Sequence, residues 1–571
     1  MASLAVVVVV APRAVAQDVP VAVAPPGELR VLHTEIDSVG WAFDALLKYP
    51  AERRPYIRFV YVPPWGDEEW IGVMDYAVNT ACSQARATHR ADVHAGGFLL
   101  AYDLGKYATG KELTKLMGVW DTLAIRDPYF HVPEVNTQDV GCAVCKGGGK
   151  LVYTRDNSQF VAACNKCGGT GKTKAAGAVV LLAPHLQAAI ARHATNPEKD
   201  QRVDVLVTTM TGSTGAIYRA DWLLEQLLTS ARGRYPEFRQ INFAAAGTIT
   251  PLQAHLKRRG FFLEQSVKIG GEKGALMLIS EVTGKNRVVL AVYGIAARQP
   301  MVVTYDPKDA RTRPDEQFIR NLVEYDAHAD ASEVFVPLAN GLLEYLLTNN
   351  AGEFQRVAPP DVVADSTKPD GHTKELEMGM SCIMCHSPND GYNTAKNDME
   401  LLLGADVDFF GEDFTYTDRT GTKVTLARDA IVDLVSGRYG ERIDEPDGVL
   451  GRARRDYARA VARVTDYEIQ AEGPSVVARL GLKIKEIYHG YRYRRLDPAR
   501  VALELGVDVG ASEPKSVLRK LVPVPVAGAQ EDVLISLLRN GAEIKRDDME
   551  AIYGEMARRA VATRPTLAPG D

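Results

Sequence analysis

Met378-Gly-Met-Ser-Cys-Ile-Met-Cys-His386 is the stretch from which the rest of the chain is read. Its core, Cys382-Ile-Met-Cys385-His386, has the C-x-x-C-H spacing of covalent haem attachment. That spacing has a chemical reason. Thiols three residues apart are about one helical turn from each other, close enough to add to the two vinyl groups of one porphyrin. The adjacent imidazole then sits under the iron as the proximal ligand. Thr373–Met380 reads as a helical lead-in to the motif. The same pair of thiols can instead serve a zinc ion or a disulfide, which are the alternatives to haem c.

The second axial ligand decides between carrier and catalyst. Met/His ligation raises the potential and blocks substrates, whereas an open distal position permits chemistry. Met378, Met380 and Met384 lie too close to the attachment cysteines to leave the proximal side or edge of the ring. Met399, His489, Met549 and Met556 follow the motif, and any of them could reach the distal face. Met399 is preferred, because a helix and return after the motif would bring it back; His489 comes second.

At 571 residues the chain is too long for one domain, and about two to four are expected. Its hydrophobic and charged fractions, 46% and 25%, are those of a soluble globular protein. A net charge of −6 without a dominant basic face argues against nucleic acid as a partner. Leu4–Ala11 is an apolar run too short to cross a bilayer, and Ala14-Val15-Ala16 matches a signal-peptidase site. No Lys or Arg precedes that run, so one element of a secretory signal is missing. Residues 1–16 are therefore expected to be a signal peptide and 17–29 a Pro-rich lead-in. Export, to the periplasm in a bacterium, fits haem c, which bacteria attach outside the cytoplasm. No later segment has the apolar length of a transmembrane helix.

Six of the seven cysteines fall in C-x-x-C pairs, and Cys82 stands alone as a buried structural thiol. Cys142-Ala-Val-Cys145-Lys-Gly-Gly-Gly149 and Cys164-Asn-Lys-Cys167-Gly-Gly-Thr-Gly171 are two copies of C-x-x-C-x-G-x-G. A hairpin over Leu151–Ala163, turning at Asp156-Asn157-Ser158, joins them. Four thiolates from two knuckles suit tetrahedral Zn²⁺ with Zn–S distances of about 2.3 Å, and the glycines free the knuckle backbone to turn. Two disulfides in an oxidising compartment are the competing use of Cys142, Cys145, Cys164 and Cys167. Gly168–Thr173 imitates the end of a phosphate-binding loop. Lys166 stands where that loop needs its first glycine, which excludes nucleotide binding.

The fold class expected is α+β and multidomain. Tyr56–Val62 and Gly97–Leu104 read as strands, and Trp70–Arg86 and Lys111–Ile125 as helices. Trp41, Trp65, Trp70 and Trp120 read as core anchors. Ala178–Ala194 and Asp221–Arg232 look helical, and Val203–Thr209, Val288–Tyr293 and Met301–Tyr305 extended. Val334–Pro337 and Gly341–Thr348 lead to a hairpin whose turn is Asn349–Gly352 and whose second arm is Glu353–Val357. Residues 30–365 make a mixed α+β region with a zinc hairpin inserted at 139–173. Asp361–His372 is a polar linker into a cytochrome c-like haem domain at 366–450. A helical region follows at 451–571, with helices at Arg452–Ala462, Pro474–Tyr493, Asp497–Leu505, Gln530–Asn540 and Arg546–Ala560. The basic clusters Arg452–Arg455 and Arg492–Arg495 read as solvated helix faces. Between Ala175 and Asp365 there is no Ser-His-Asp set, HExxH or GxGxxG after a strand.

The knuckle copies resemble the cysteine-rich zinc repeats of DnaJ-type co-chaperones over about thirty residues, with two repeats where that family has four. The resemblance implies one zinc site and no chaperone activity. The wider layout is also familiar: Arg219-Ala-Asp221-Trp222, an Asn340-Gly-Leu342 hairpin, then Gly379-Met-Ser-Cys382-x-x-Cys385-His386. It resembles a group of large exported bacterial proteins with one c-type cytochrome domain, and the likeness runs over Arg219–Arg558. What this implies is one covalent haem, electron transfer and a redox partner protein. The alternatives are a peroxidase-like haem c oxidoreductase with an open site, and a docking module with a relay haem.

Overall fold

The computed structural model describes residues 30–82, 85–124, 126–141, 150–155, 158–163, 172–182, 216–244, 249–261, 275–279, 286–293, 299–306, 331–358, 364–392, 413–417, 420–430, 448–470, 473–525 and 532–563. Its class is α+β. The first sheet has the order β3-β4-β2-β9, built from β2 (Ile57–Tyr61), β3 (Asp92–His94), β4 (Leu99–Asp103) and β9 (Ile217–Arg219). β2 is antiparallel to β4 and parallel to β9. Every residue of β2 and β4 is buried, which is why they read as continuous rather than alternating apolar runs.

Helices cover this sheet. α1 (Glu35–Leu47) packs on β2, β4 and β9. Its start is set by Asp37, which accepts from the Thr34 backbone N–H at 2.7 Å. α2 (Glu69–Ala81) is buried on nearly every side, so it ought to have helices on several faces. It does, packing against α4 (Ala220–Leu228), α7 (Val449–Thr465) and α8 (Val476–Arg492). Gly72 permits the closest of these crossings, since a Cβ there would lie 2.9 Å from the Thr465 carbonyl oxygen. α3 (Gly110–Leu123) carries Trp120, which is fully buried along with Trp222; Trp70 is nearly so, and Trp41 and Trp65 pack at the margin. Cys82, just past α2, is a buried thiol whose pKa burial raises.

The second sheet is an antiparallel meander of β10 (Ala275–Ile279), β11 (Asn286–Tyr293), β12 (Pro300–Tyr305), β13 (Ala331–Pro337) and β14 (Leu343–Asn349). Here the sequence reading needs correction. The principal hairpin is β13–β14, turning over residues 338–342. The turn at Asn349–Gly352 does form, with a short return in which the Asn349 N–H donates to the Glu353 carbonyl at 3.0 Å and the Gln355 N–H to the Leu347 carbonyl at 2.9 Å, and Phe354 bridges Thr348. β15 (Val357–Ala358) pairs instead with β16 (Leu376–Glu377). The edge of β14 is occupied by a side chain: the Tyr235 hydroxyl accepts from the Tyr345 N–H and donates to its carbonyl, both at 2.8 Å. That satisfies one residue of an edge strand without a further strand.

A third unit is a long two-stranded arm. β5 (His131–Gly141) pairs with β8 (Lys172–Leu182) along its whole length. β6 (Lys150–Arg155) and β7 (Ser158–Ala163) form the hairpin expected at 151–163. The helix expected to begin at Ala178 does not, because residues 178–182 complete the β8 ladder. β17 (Asp413–Thr417) and β18 (Lys423–Ala427) form a further hairpin around Gly421. Among the described residues no helix is long and apolar enough to cross a membrane.

The C-terminal helices α9 (Pro498–Glu504), α10 (Pro514–Leu521), α11 (Val533–Arg539) and α12 (Arg546–Thr563) pack on one another, and β19 (Val507–Asp508) pairs with β1 (Arg30–Val31). Beneath them lies a buried ion network. Glu504 accepts from both terminal nitrogens of Arg546 at 2.7 Å and from Arg219 at 3.3 Å. Arg219 also forks onto Asp221 and lies 3.8 Å from the centre of the Tyr129 ring. Arg492, expected on a solvated face, is instead buried and chelates Glu225. Burial alone would raise the Glu504 pKa, but the Arg546 and Arg219 guanidinium groups hold it well below the usual carboxylate range.

Replacing Glu504 by Gln leaves two buried guanidinium groups short of a counter-charge, a loss of about 3–5 kcal/mol. Urea denaturation at neutral pH measures it. A carboxylate with a depressed pKa stabilises the fold above its ordinary value of 4.5 and loses that contribution as pH falls. The gap between wild type and Glu504→Gln should therefore narrow on acidification below that value.

Candidate functional site

The C-x-x-C-H stretch forms α6 (Met380–His386). The chain enters it from β16 rather than from the helix expected over 373–380. Lys368 explains the departure: it is buried beneath this segment, donates to the Glu375 carbonyl at 2.5 Å and pairs with Glu377 at 3.3 Å. Asp365 is buried as well, whereas residues 370–372 are exposed. Gly379 precedes the helix at φ +96°, where a Cβ would stand 2.3 Å from the Leu228 carbonyl oxygen. Only glycine allows the motif this close to α4. The helix stops in a turn over Ser387–Asn389, and the Gly391 N–H closes it onto the His386 carbonyl at 3.0 Å.

Cys382, Cys385 and His386 stand at i, i+3 and i+4, hence on one face of α6. Opposite that face lies the β13–β14 hairpin. Glu333 and Phe335 are two apart on β13, and Phe335 is paired directly with Tyr345 on β14, so all three share one face of the sheet. The His386 ring is buried among them. It stacks on Tyr345 at 5.8 Å and meets Phe335 at 4.6 Å between centroids. Its Nε2 is 3.2 Å from Glu333 Oε1, and its Nδ1 has no hydrogen-bond partner. The Tyr345 hydroxyl donates to the Gly391 carbonyl at 3.3 Å, tying the sheet to the end of the motif.

Both motif thiols are free, Cys382 fully buried and Cys385 half-buried. Burial, reinforced by the Glu333 carboxylate, pushes the Cys382 pKa far up. Burial with the Asp365 and Glu333 carboxylates pushes Cys385 up to about 12. These are the reverse of the conditions that make a thiol a nucleophile or a dithiol redox centre, which need nearby cations and a low pKa. The donor set suits haem attachment, with two protonated thiols and an imidazole on one helical face. Glu333 must yield Nε2 for the imidazole to take a metal.

The candidates for the far side of the ring are scattered. His489 lies on α8, which packs on α6, and shares Asp365 and Lys485 as charged neighbours with Cys385. Burial, with Lys485 adding to it, lowers its pKa to about 4, and its Nε2 has no partner. Met549 and Met556 are fully buried on α12, which packs against α10 and α11. Met399 lies outside the described residues. Glu333, the nearest charged group to the imidazole, is the residue that the sequence reading passed over. Its signal was a Glu two residues before a Phe in a strand, a charge on the face that should be apolar.

Cys142, Cys145, Cys164 and Cys167 also lie outside the described residues, between paired strand ends. The β5–β8 ladder finishes at Gly141↔Lys172 and the β6–β7 ladder opens at Lys150↔Ala163. The segments between, 142–149 and 164–171, are of equal length, and the two flanking ladders share one register. Among the described residues no cluster of His, Cys, Asp and Glu is arranged to hold a metal ion.

The burial of the motif thiols has a direct test. In folded, haem-free protein at neutral pH, alkylation followed by peptide mapping should label Cys385 slowly and Cys382 only on unfolding. Equal, rapid labelling of both would contradict the packing of α6. No family model, no curated protein and no solved structure matches the chain, so its function is argued from its own residues.

Proposed function

We propose that this chain is an exported c-type cytochrome protein that carries one covalent haem and transfers electrons to or from a redox partner protein. The observation that carries the reading is the single face of α6. It presents two thiols and an imidazole at attachment spacing, in surroundings that disfavour the thiolate chemistry of the alternatives. When bound, haem supplies a one-electron couple that the protein side chains lack.

The chain's own residues divide the remaining work. Cys382 and Cys385 would hold the haem by thioether bonds, each S–H adding across one vinyl group, with the sulfur on one carbon and the hydrogen on its neighbour. His386 would supply the imidazole to the iron, and its ring is held in one plane by Tyr345 and Phe335. Cys385 is the more exposed of the two thiols and marks the edge of the site that lies nearer solvent. Gly379 and Gly391 let the motif lie between α4, β14 and α7, where a side chain at either position would collide. Export is supported by the apolar run and the Ala14-Val15-Ala16 site in the sequence.

The hairpin arm is proposed to hold one structural zinc ion through Cys142, Cys145, Cys164 and Cys167. Two C-x-x-C pairs with trailing glycines, one on each side of the β6–β7 hairpin, support this reading. Zinc in such a site would add binding free energy to folding of the arm.

Chain matured in a host with haem c attachment machinery should keep its haem through denaturing electrophoresis. Cys382→Ala with Cys385→Ala should abolish the haem-stained band while the protein band persists. Loss of haem from wild type in that gel would refute the proposal.

Elemental analysis should give one zinc per chain, lost on replacing Cys145 or Cys164 by Ala with the haem spectrum unchanged. A metal-free wild type that gains mass on reduction, by two hydrogens per cysteine pair, would point to disulfides instead.

A further inference from the structure

The face of α6 that carries the attachment residues is closed. Cys382 is 0% exposed and His386 3%, and the rings that flank the imidazole, Phe335 and Tyr345, are 3% and 1% exposed. Glu333 Oε1 stands 3.2 Å from His386 Nε2. A gap of hydrogen-bond length admits no ring between the two groups. The donors are those a porphyrin needs, but α6 packed in this way on β13 leaves no room for one.

Two features make this a contact that can part. α6 is bracketed by backbone in the left-handed region, Gly379 at φ +96° before it, then Asp390 at φ +54° and Gly391 at φ +82° after it. Residues at the ends of an element, able to absorb a large φ/ψ change, are where hinges lie. On the other side, the β12–β13 ladder is interrupted at Glu333. Its regular pairs are Val302↔Phe335 and Val303↔Val334, an isolated bridge joins Asp306 to Ala331, and the Glu333 N–H donates to Thr304 Oγ1 at 3.0 Å.

We propose that the packing of α6 on β13 is a closed arrangement latched by Glu333, and that haem is joined to Cys382 and Cys385 only while the two elements are apart. The inference rests on haem attachment at those cysteines. The Glu333 carboxylate holds the imidazole nitrogen on the side that faces β13, so attachment and closure compete for one face of α6. A segment as short as α6 keeps little helix once released, which would free both thiols and the imidazole together. Closure in turn shields Cys382 from other reagents. A chain that folds shut before it meets haem is therefore slow to be loaded.

The test uses the full chain, ferrous protoporphyrin IX as the probe, and membranes that carry haem c attachment machinery. Covalent haem in a denaturing gel is the readout. Wild type diluted from urea into this mixture should gain haem, and wild type folded beforehand should gain it at least about tenfold more slowly, at a rate that does not rise with haem concentration. Loss of one charge-assisted hydrogen bond corresponds to about tenfold or more in an opening equilibrium. Folded Glu333→Ala should accordingly load about tenfold faster than folded wild type, with urea denaturation used to establish that it is folded when haem is added. If Glu333→Ala does not accumulate, Glu333→Gln, which keeps the shape of the side chain, is read in the same way. Folded wild type that loads as fast as refolding wild type, in proportion to haem concentration, would overturn the inference and leave attachment standing. A folded Glu333 variant that loads no faster than wild type would overturn it too. Wild type that gains covalent haem in neither arm refutes the attachment reading itself.

Discussion

Glu504 is a carboxylate sealed from water between two arginines, and much of the structure is arranged to make that tolerable. Arg546 comes from α12, Arg219 from β9, and Glu504 itself from α9. Tyr129, following α3, offers its ring to Arg219, and Glu35 of α1 lies 3.8 Å from the same guanidinium. A buried carboxylate of this kind costs several kcal/mol unless its partners are held in place. The sheet, α1 and the C-terminal helices must therefore come together at one point. The pairing of β1 with β19 and the crossing of α2 by α7 at Gly72 belong to the same arrangement. The described apolar core is accordingly continuous from α1 to α12.

That core also dictates how the cysteine motif is presented. α6 is short and could not hold its conformation alone, since isolated helices of this length are unstable in water. It is fixed by α8 on one side and by the β13–β14 hairpin on another, with Gly379 pressed against the end of α4. The result is an imidazole with its plane and one nitrogen defined, and two thiols in an anionic, desolvated setting. Such a setting raises the pKa of both thiols and disfavours thiolate chemistry at the pair. The polar groups of the site come mostly from elements distant in sequence: Glu333 from β13, Asp365 and Lys368 from the approach to β15–β16, and Lys485 and His489 from α8.

The hairpin arm follows a simpler rule. Equal segments on both strands preserve register, and a one-residue difference would have turned the side chains of one strand to the opposite face. The two copies of C-x-x-C-x-G-x-G are equal in length, and the β5–β8 and β6–β7 ladders that flank them share one register.

Local chemistry was legible in the sequence. Continuous apolar runs became β2 and β4, amphipathic or wholly apolar stretches became α2, α4 and α8, and residues 150–155 and 158–163 paired as the β6–β7 hairpin. The C-x-x-C-H spacing placed Cys382, Cys385 and His386 on one face of α6, because three- and four-residue intervals repeat with the helix. Arg219-Ala-Asp221-Trp222 stood out as a motif, although nothing local said that Arg219 would reach Glu504. Pairing across long separations is decided by which surfaces can be buried together. That is why Val357 paired with Glu377 instead of completing a hairpin, why 178–182 joined β8 rather than a helix, and why Arg492 went inside. The tertiary structure alone set Glu333 against His386, since 53 residues separate them in the chain. Only the packing of α6 on β13 brings that carboxylate to the imidazole.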